Sequence, residues 1–205
     1  VFEINIDGKG CHAAMPHLGR DPITAAGQVL LALQTIAARN VNPLESAVIS
    51  PTQISGGDTW NVIPDTATIR GTVRTFSPVI QDLVEERLKT VVNATAEAFG
   101  CSARVMYQRR YPATINSESE TAIAQAAAYR TVGEGKVDPN PESSMASEDF
   151  AFMLNAKPGS YVLLGNGPTD GNCLLHNAAY NFNDDAIPYG VTYWITLVDE
   201  YLGSA

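Results

Sequence analysis

Thr66-Ala67-Thr68-Ile69-Arg70-Gly71-Thr72-Val73-Arg74-Thr75-Phe76-Ser77-Pro78 decides the architecture of the first half of the chain. Its residues alternate. Ala67, Ile69, Gly71 and Val73 fall on one side, and Thr68, Arg70, Thr72 and Arg74 on the other, as in a strand with one buried and one wet face. Ser77-Pro78 then breaks the alternation and opens a helix, because Pro is pre-set for the first helical position. Ile80, Leu83, Val84, Leu88, Val91 and Val92 continue at helical spacing, and Gly100 stops them. Residues 102–111 read as the next strand.

The same grammar runs upstream. Phe2, Ile4 and Ile6 alternate with Glu3, Asn5 and Asp7, which predicts a half-buried strand. A loop of Gly, His and Pro follows. Asp21 caps a helix with Pro22 at its first position, and Ile23, Ala26, Leu30, Leu33 and Ala37 form its apolar stripe. Residues 46–54 read as a strand that ends at Gly56-Gly57. The order βαββαβ is the ferredoxin-like pattern, a four-stranded antiparallel sheet with both helices on one face and a polar face left open.

The second half is poorer in strands. Residues 118–130 predict an Ala-rich helix, 133–144 a loop, 147–154 a short helix, 160–164 a short strand and 187–202 a C-terminal helix. One strand makes no sheet, so this stretch reads as the tail of a larger α/β domain. Residues 112–117 are the crossing point. The fold class is therefore α+β, with one domain at 1–112 and a second piece at 113–205.

Composition removes several function classes. A formal charge of −9 without a Lys/Arg block argues against nucleic acid as a partner. No apolar run reaches the ~20 residues that span a bilayer, which argues against a membrane. Cys11, Cys101 and Cys173 are odd in number, widely spaced and outside any activating motif, so reduced thiols and a cytoplasmic setting are expected. The opening Val1-Phe2-Glu3-Ile4 is neither a leader nor an initiator Met and reads as a strand in progress, so a longer parent protein is expected.

Few residues carry chemistry. His176 lies in the polar stretch Cys173-Leu174-Leu175-His176-Asn177 and reads either as a turn residue or as a neutral metal ligand. His12 and His17 flank Ala-Ala-Met-Pro, and Pro16 excludes a continuous helical zinc pair. They are either loop polars or, for His12, a hydrogen-bond donor aimed at a developing oxyanion. Asn61 could be a turn residue or could orient a carbonyl. Arg74 could be a strand surface residue or could grip a carboxylate in bidentate fashion. Together Asn61 and Arg74 are expected to begin and close one strand segment. Glu148-Asp149 could supply a general base or simply an acidic helix N-terminus.

Taken in order, the motifs are more specific than their parts: Gly8-Lys9-Gly10-Cys11-His12-Ala13-Ala14-Met15-Pro16-His17, Asn61-Val62-Ile63-Pro64-Asp65, Gly71-Thr72-Val73-Arg74, Ala146-Ser147-Glu148-Asp149-Phe150 and Leu175-His176-Asn177. This series resembles the metallo-aminoacylase and carboxypeptidase superfamily, in its hippurate hydrolase and auxin-conjugate amidohydrolase branch, over nearly the whole chain. The resemblance implies a ferredoxin-like lid and dimerisation domain at 1–112 and the C-terminal part of a two-metal α/β hydrolase domain at 113–205. It implies a parent enzyme that cleaves the amide bond of N-acyl amino acids with two divalent ions, zinc, manganese or nickel.

By the same resemblance His12 polarises the scissile carbonyl, in trans across a homodimer. Asn61, Arg74 and Gly165 contact the substrate, and His176 is the last metal ligand. Cys11 stands where a Gly is common. The remaining ligands and the general-base Glu would lie upstream of Val1, so the chain alone is expected to bind no metal pair and to hydrolyse no amide. Two rival readings are a stand-alone ferredoxin-like dimerisation or ligand-binding module and a non-catalytic regulatory relative.

Overall fold

A computed structural model describes residues 1–167, 175 and 177–203. They divide into two units, Val1–Ala113 with Met145–Ser147 and Thr114–Ser144 with Glu148–Ala205.

In the first unit, β1 (Phe2–Asp7), α1 (Pro22–Arg39), β3 (Ala47–Ser55), β5 (Thr66–Thr75), α2 (Pro78–Ala98) and β6 (Ser102–Tyr107) realise the βαββαβ order. The antiparallel sheet runs β3-β5-β1-β6, the ferredoxin-like arrangement. A two-stranded ribbon, β2 (Cys11–His12) with β4 (Val62–Ile63), stands apart from it. The ribbon was not foreseen: Cys11–His12 read as loop, and Val62–Ile63 fell within the single strand segment expected from Asn61 to Arg74.

The buried face of β5 carries Ala67, Ile69, Gly71 and Val73, as its alternation requires. Phe2, Ile4 and Ile6 join them from β1, and Val84, Leu88 and Val92 from α2. Each large aliphatic side chain fully buried here contributes roughly 1.5–3 kcal/mol. Asp21 caps α1 by accepting from the Ile23 and Thr24 N–H groups at 2.8 and 3.3 Å. With Pro22 fixed at the first turn and facing the core, α1 buries Ala25, Ala26, Val29, Leu33 and Ile36. The expected stripe is therefore rotated: Ile23 is exposed, and Leu30 and Ala37 pack at its margin.

The outer face of the sheet is polar. Arg70 pairs with Glu3 at 2.7 Å, Asn5 donates to Glu3 and accepts from Thr68, both at 3.0 Å, and Arg104 pairs with Asp7 at 3.1 Å. β3 is an edge strand, and its bulge between Pro51 and Gln53 is the place where a strand tolerates proline. β6 ends at Tyr107 rather than at residue 111. Its partner runs out there, and the last pairing is the Gln108 N–H to Val1 O bond at 2.9 Å. Arg109 turns instead to Asp82 and Glu85 of α2.

The second unit contains α3 (Glu118–Val132), α4 (Phe150–Ala156) and α5 (Ile187–Leu202). Helix α3 packs along α5, and Arg130 pairs with Glu200 between them. The short helix begins at Phe150, three residues later than the sequence suggests. Residues 160–164 form no strand. Among the described residues no neighbouring strand meets them, and the Asn116 side chain takes that role, accepting from the Tyr161 N–H at 2.8 Å and donating to its carbonyl at 2.9 Å. Among the described residues, no helix is long and apolar enough to cross a membrane.

Candidate functional site

The β2–β4 ribbon gathers two of the sequence-selected residues. Gly8 donates to the Asp65 carbonyl at 2.8 Å, and Gly10 donates to Asp65 Oδ1 at 2.7 Å. A Cβ on Gly10 would lie 2.8 Å from the Ile63 carbonyl oxygen, so only glycine lets the two segments approach this closely. The chain then pairs Cys11 with Ile63 and His12 with Val62, and the Ala13 N–H reaches the Asn61 carbonyl at 2.9 Å. Cross-strand partners share a face, so the more exposed His12 and Val62 lie on one side and the half-buried Cys11 and Ile63 on the other.

His12 is exposed, and its ring makes one local hydrogen bond. Its Nδ1 accepts from the Ala14 N–H at 3.1 Å, while its carbonyl closes a turn with the Met15 N–H at 2.8 Å. With Nδ1 occupied as an acceptor, the neutral imidazole carries its proton on Nε2. That nitrogen is a hydrogen-bond donor facing solvent. Asn61 is also exposed, and its Oδ1 accepts from the Thr59 hydroxyl at the long distance of 3.4 Å. The ribbon thus holds an exposed imidazole on β2 and, in the turn before β4, an exposed side-chain amide.

Arg74 is elsewhere. It lies near the end of β5, half-buried, where Nη1 donates to Thr72 Oγ1 at 3.2 Å and to the Val73 carbonyl at 3.0 Å. It lies eight positions along the strand from Thr66, about 25 Å at the usual rise, and the ribbon lies beyond Thr66. Asn61 is outside β5, in the turn before β4, so it and Arg74 do not bracket one strand as the sequence suggested. Of the three arginines on the outer sheet face, Arg70 and Arg104 each hold a carboxylate, whereas Arg74 pairs with none among the described residues.

In the second unit Gly165 is exposed, with open space where a side chain would be. Its neighbour Asn166 donates to the Tyr180 hydroxyl and its carbonyl accepts from Asn183, both at 2.8 Å. His176 and Cys173 lie outside the described residues. Glu148 accepts from the Tyr161 hydroxyl at 3.0 Å and from the Phe150 N–H at 3.3 Å. A hydrogen bond shared with Asp149, then these two donors, hold its carboxyl below the usual range. That is the opposite of the tuning a general base needs, and it favours the helix-terminus role.

Among the described residues, no group of three His, Cys, Asp or Glu could hold a metal ion. Sequence reasoning passed over two residues of the ribbon, Asp65 as its clamp and Trp60 at its tip. Asp65 was within sight, as the last residue of Asn-Val-Ile-Pro-Asp.

Comparison with known proteins gives a consistent picture. The M20 family model for a peptidase dimerisation domain matches residues 1–99. An N-acetyl-L-cysteine deacetylase of Bacillus subtilis is 44% identical over 91% of this chain and 43% of its own length. A hippurate hydrolase of Campylobacter jejuni is 33% identical over 98% of this chain and 52% of its own length. A Bacillus subtilis crystal structure, described as a dinuclear metal binding peptidase from the M20 family, is 31% identical with a TM-score of 0.76; the match covers all of this chain and 50% of that one. The chain spans about half the length of the curated relatives it matches.

Proposed function

We propose that residues 1–112, most of which match the M20 peptidase dimerisation-domain model, form the lid and dimerisation domain, and residues 113–205 the C-terminal part of the catalytic domain, of an amidohydrolase of that family acting on N-acyl amino acids. The observation that carries this reading is the Ala14 N–H to His12 Nδ1 hydrogen bond, which leaves Nε2 open on a ribbon whose facing strand follows Asn61. When water adds to an amide carbonyl, the oxygen takes up negative charge. A donor already oriented toward it is worth on the order of 10²–10³ in kcat. Nε2–H would donate to that oxygen, and the Asn61 amide would orient the acyl group. Arg74, which pairs with no carboxylate among the described residues, would grip the free carboxylate of the substrate. His176 is the chain's proposed metal ligand, and Gly165 would border the substrate. Activation of the water falls to groups that the described residues do not supply. Two free thiols, Cys11 and Cys101, fit a reducing, cytoplasmic setting.

The distance between the ribbon and Arg74 supports service in trans. An N-acyl amino acid is far shorter than about 25 Å of strand. If His12 and Arg74 touch one substrate, they come from different copies of the chain, and a two-fold homodimer is the commonest way to arrange that.

Complementation in the full-length protein tests this. His12→Ala and His176→Ala variants are mixed under subunit exchange. A heterodimer would then hold one intact site and one doubly damaged site, and activity should return toward half of the wild-type value per heterodimer. If mixing restores nothing, His12 acts within its own chain.

A further inference from the structure

Between residues 161 and 185 every described residue is exposed except Asn166, Tyr180 and Asn183, which are half-buried. These three are bonded to one another. Asn166 Nδ2 donates to the Tyr180 hydroxyl oxygen, and the Asn166 carbonyl accepts from Asn183 Nδ2, both at 2.8 Å. Asn166 is therefore held by its side chain and its backbone at once. Each anchor is fixed in turn. The Tyr180 N–H donates to the Asn177 carbonyl at 3.0 Å, and Asn183 Oδ1 accepts from the Asp185 N–H at 3.1 Å, in the turn that leads into α5. Gly167, at φ 76°, bends the chain just after Asn166, and a Cβ there would lie 3.4 Å from Asn183 Nδ2. Gly165 differs: it has open space around it. The turn is anchored at Asn166 and uncovered at Gly165.

We infer that Asn166, Tyr180 and Asn183 are positioning residues for substrate binding, which hold the Gly165–Gly167 turn in the shape that borders the substrate. The inference rests on the function proposed above, in which Gly165 adjoins the substrate, and adds what keeps Gly165 in place. A turn with two glycines and exposed neighbours has many backbone conformations open to it. A substrate that fits one of them binds with an apparent affinity reduced by the fraction of time the turn spends elsewhere. With the flanking residues exposed, the bonds to Tyr180 and Asn183 are what narrow that choice. None of the three side chains needs to touch the substrate for this effect, which falls on binding rather than on the chemical step.

The experiment measures KM and kcat separately for one N-acyl amino acid in the full-length, metal-loaded enzyme. Tyr180→Phe removes one hydrogen bond and keeps the ring. It should raise KM about three- to tenfold and leave kcat within about twofold. Asn183→Asp keeps the acceptor for the Asp185 N–H but has no N–H for the Asn166 carbonyl, and it should raise KM in the same way. Asn166→Ala combined with Tyr180→Phe should raise KM no further than either change alone, because both remove the same bond. A purely structural role predicts the opposite split: a lower melting temperature and a smaller active fraction at unchanged KM. That result overturns the inference, as does a KM that rises additively in the double variant. Gly165→Val tests the underlying reading, since its side chain would enter open space and leave the fold intact. If it raises KM while Tyr180→Phe and Asn183→Asp do not, Gly165 borders the substrate and the positioning role is wrong. If it leaves KM unchanged, the turn does not border the substrate, and both readings fall.

Discussion

Helices α2 and α5 carry the same kind of apolar stripe and meet opposite fates. In α2, Ile80, Val84, Leu88, Val92 and Ala96 are buried against the sheet of their own unit. In α5, no residue is buried, and Tyr189, Val191, Trp194, Ile195, Val198 and Tyr201 are each about half exposed or more. Among the described residues, the second unit buries only alanines, Ala124, Ala127, Ala151 and Ala186. The stripe in a sequence says that a helix will be covered; it does not say by what. The first unit covers its own stripes, and the second carries apolar surface far beyond what it covers.

The strongest way to break this contrast is to cut the chain between residues 113 and 114. Residues 1–113 should unfold cooperatively and keep their β-sheet circular dichroism. Residues 114–205 should show no cooperative transition. A sharp melt from the second piece would mean that its helices cover each other in solution after all. A finer version uses single substitutions. Leu88→Ala should cost about 2–5 kcal/mol in urea unfolding, the range for a large aliphatic removed from a core. Ile195→Ala should stay within about 0.5 kcal/mol in this chain. Similar losses at both positions would erase the distinction between the units.

The first unit was legible because two signals agreed in each element. In β5 the period of two and the Ser77-Pro78 break specify the strand, its buried face and its end together. In α2 the helical spacing names Ile80, Val84, Leu88 and Val92 of the buried face, omits Ala96, and adds Leu83 and Val91, which pack at its margin. In α1 the cap was right but the stripe was not, because Pro22 and the Asp21 turn set the helix phase and several apolar residues could have satisfied it. The ribbon was illegible for a different reason. Two-residue strands have no period to read, and their pairing depends on Gly10 and Asp65, which meet across 55 positions of sequence. Residues 160–164 mislead in the reverse direction: their apolar run suits a strand, but a strand needs a neighbour, and here a single asparagine side chain takes that place. The site followed the same rule. Residue types pointed to His12, Asn61 and Arg74, but only backbone pairing shows that the first two adjoin and the third does not.

The outer sheet face sharpens the comparison through pH. Hydrogen bonds from Arg70 first, and then Asn5, hold the Glu3 carboxyl below its ordinary value of 4.5. Glu85 is also lowered, by Lys89 first, with Arg109 adding to it. A lowered folded value means that the stabilisation is complete above 4.5 and is lost as the pH falls through the folded values. Residues 1–113 should therefore lose thermal stability as the pH drops below about 4. Glu3→Gln should flatten part of that slope, and Glu3 is solvated enough for the change to be modest. A slope identical in wild type and variant would show that the Arg70 pair contributes nothing measurable.

The smallest effect is expected in the second unit, where Tyr161 donates to Glu148 at 3.0 Å. That bond, followed by partial burial and the charges of Glu148 and Asp149, raises the phenol above its ordinary value of 10. A raised folded value stabilises the neutral phenol. Its contribution is complete below 10 and fades as the pH climbs through the raised value. Tyr161→Phe should cost no more than about 1 kcal/mol, the scale of one hydrogen bond near the surface. Its more useful signature is spectroscopic. In the ultraviolet absorbance titration of the full-length protein, Tyr161→Phe should remove a late-titrating tyrosine, and Glu148→Gln should return that tyrosine toward 10. Residues 114–205 alone have little core to hold the Asn116 clamp that positions Tyr161, so the late titration should vanish from the isolated piece. If it persists there, the second unit organises this corner without outside cover, and the difference between α2 and α5 is one of exposure rather than of independent folding.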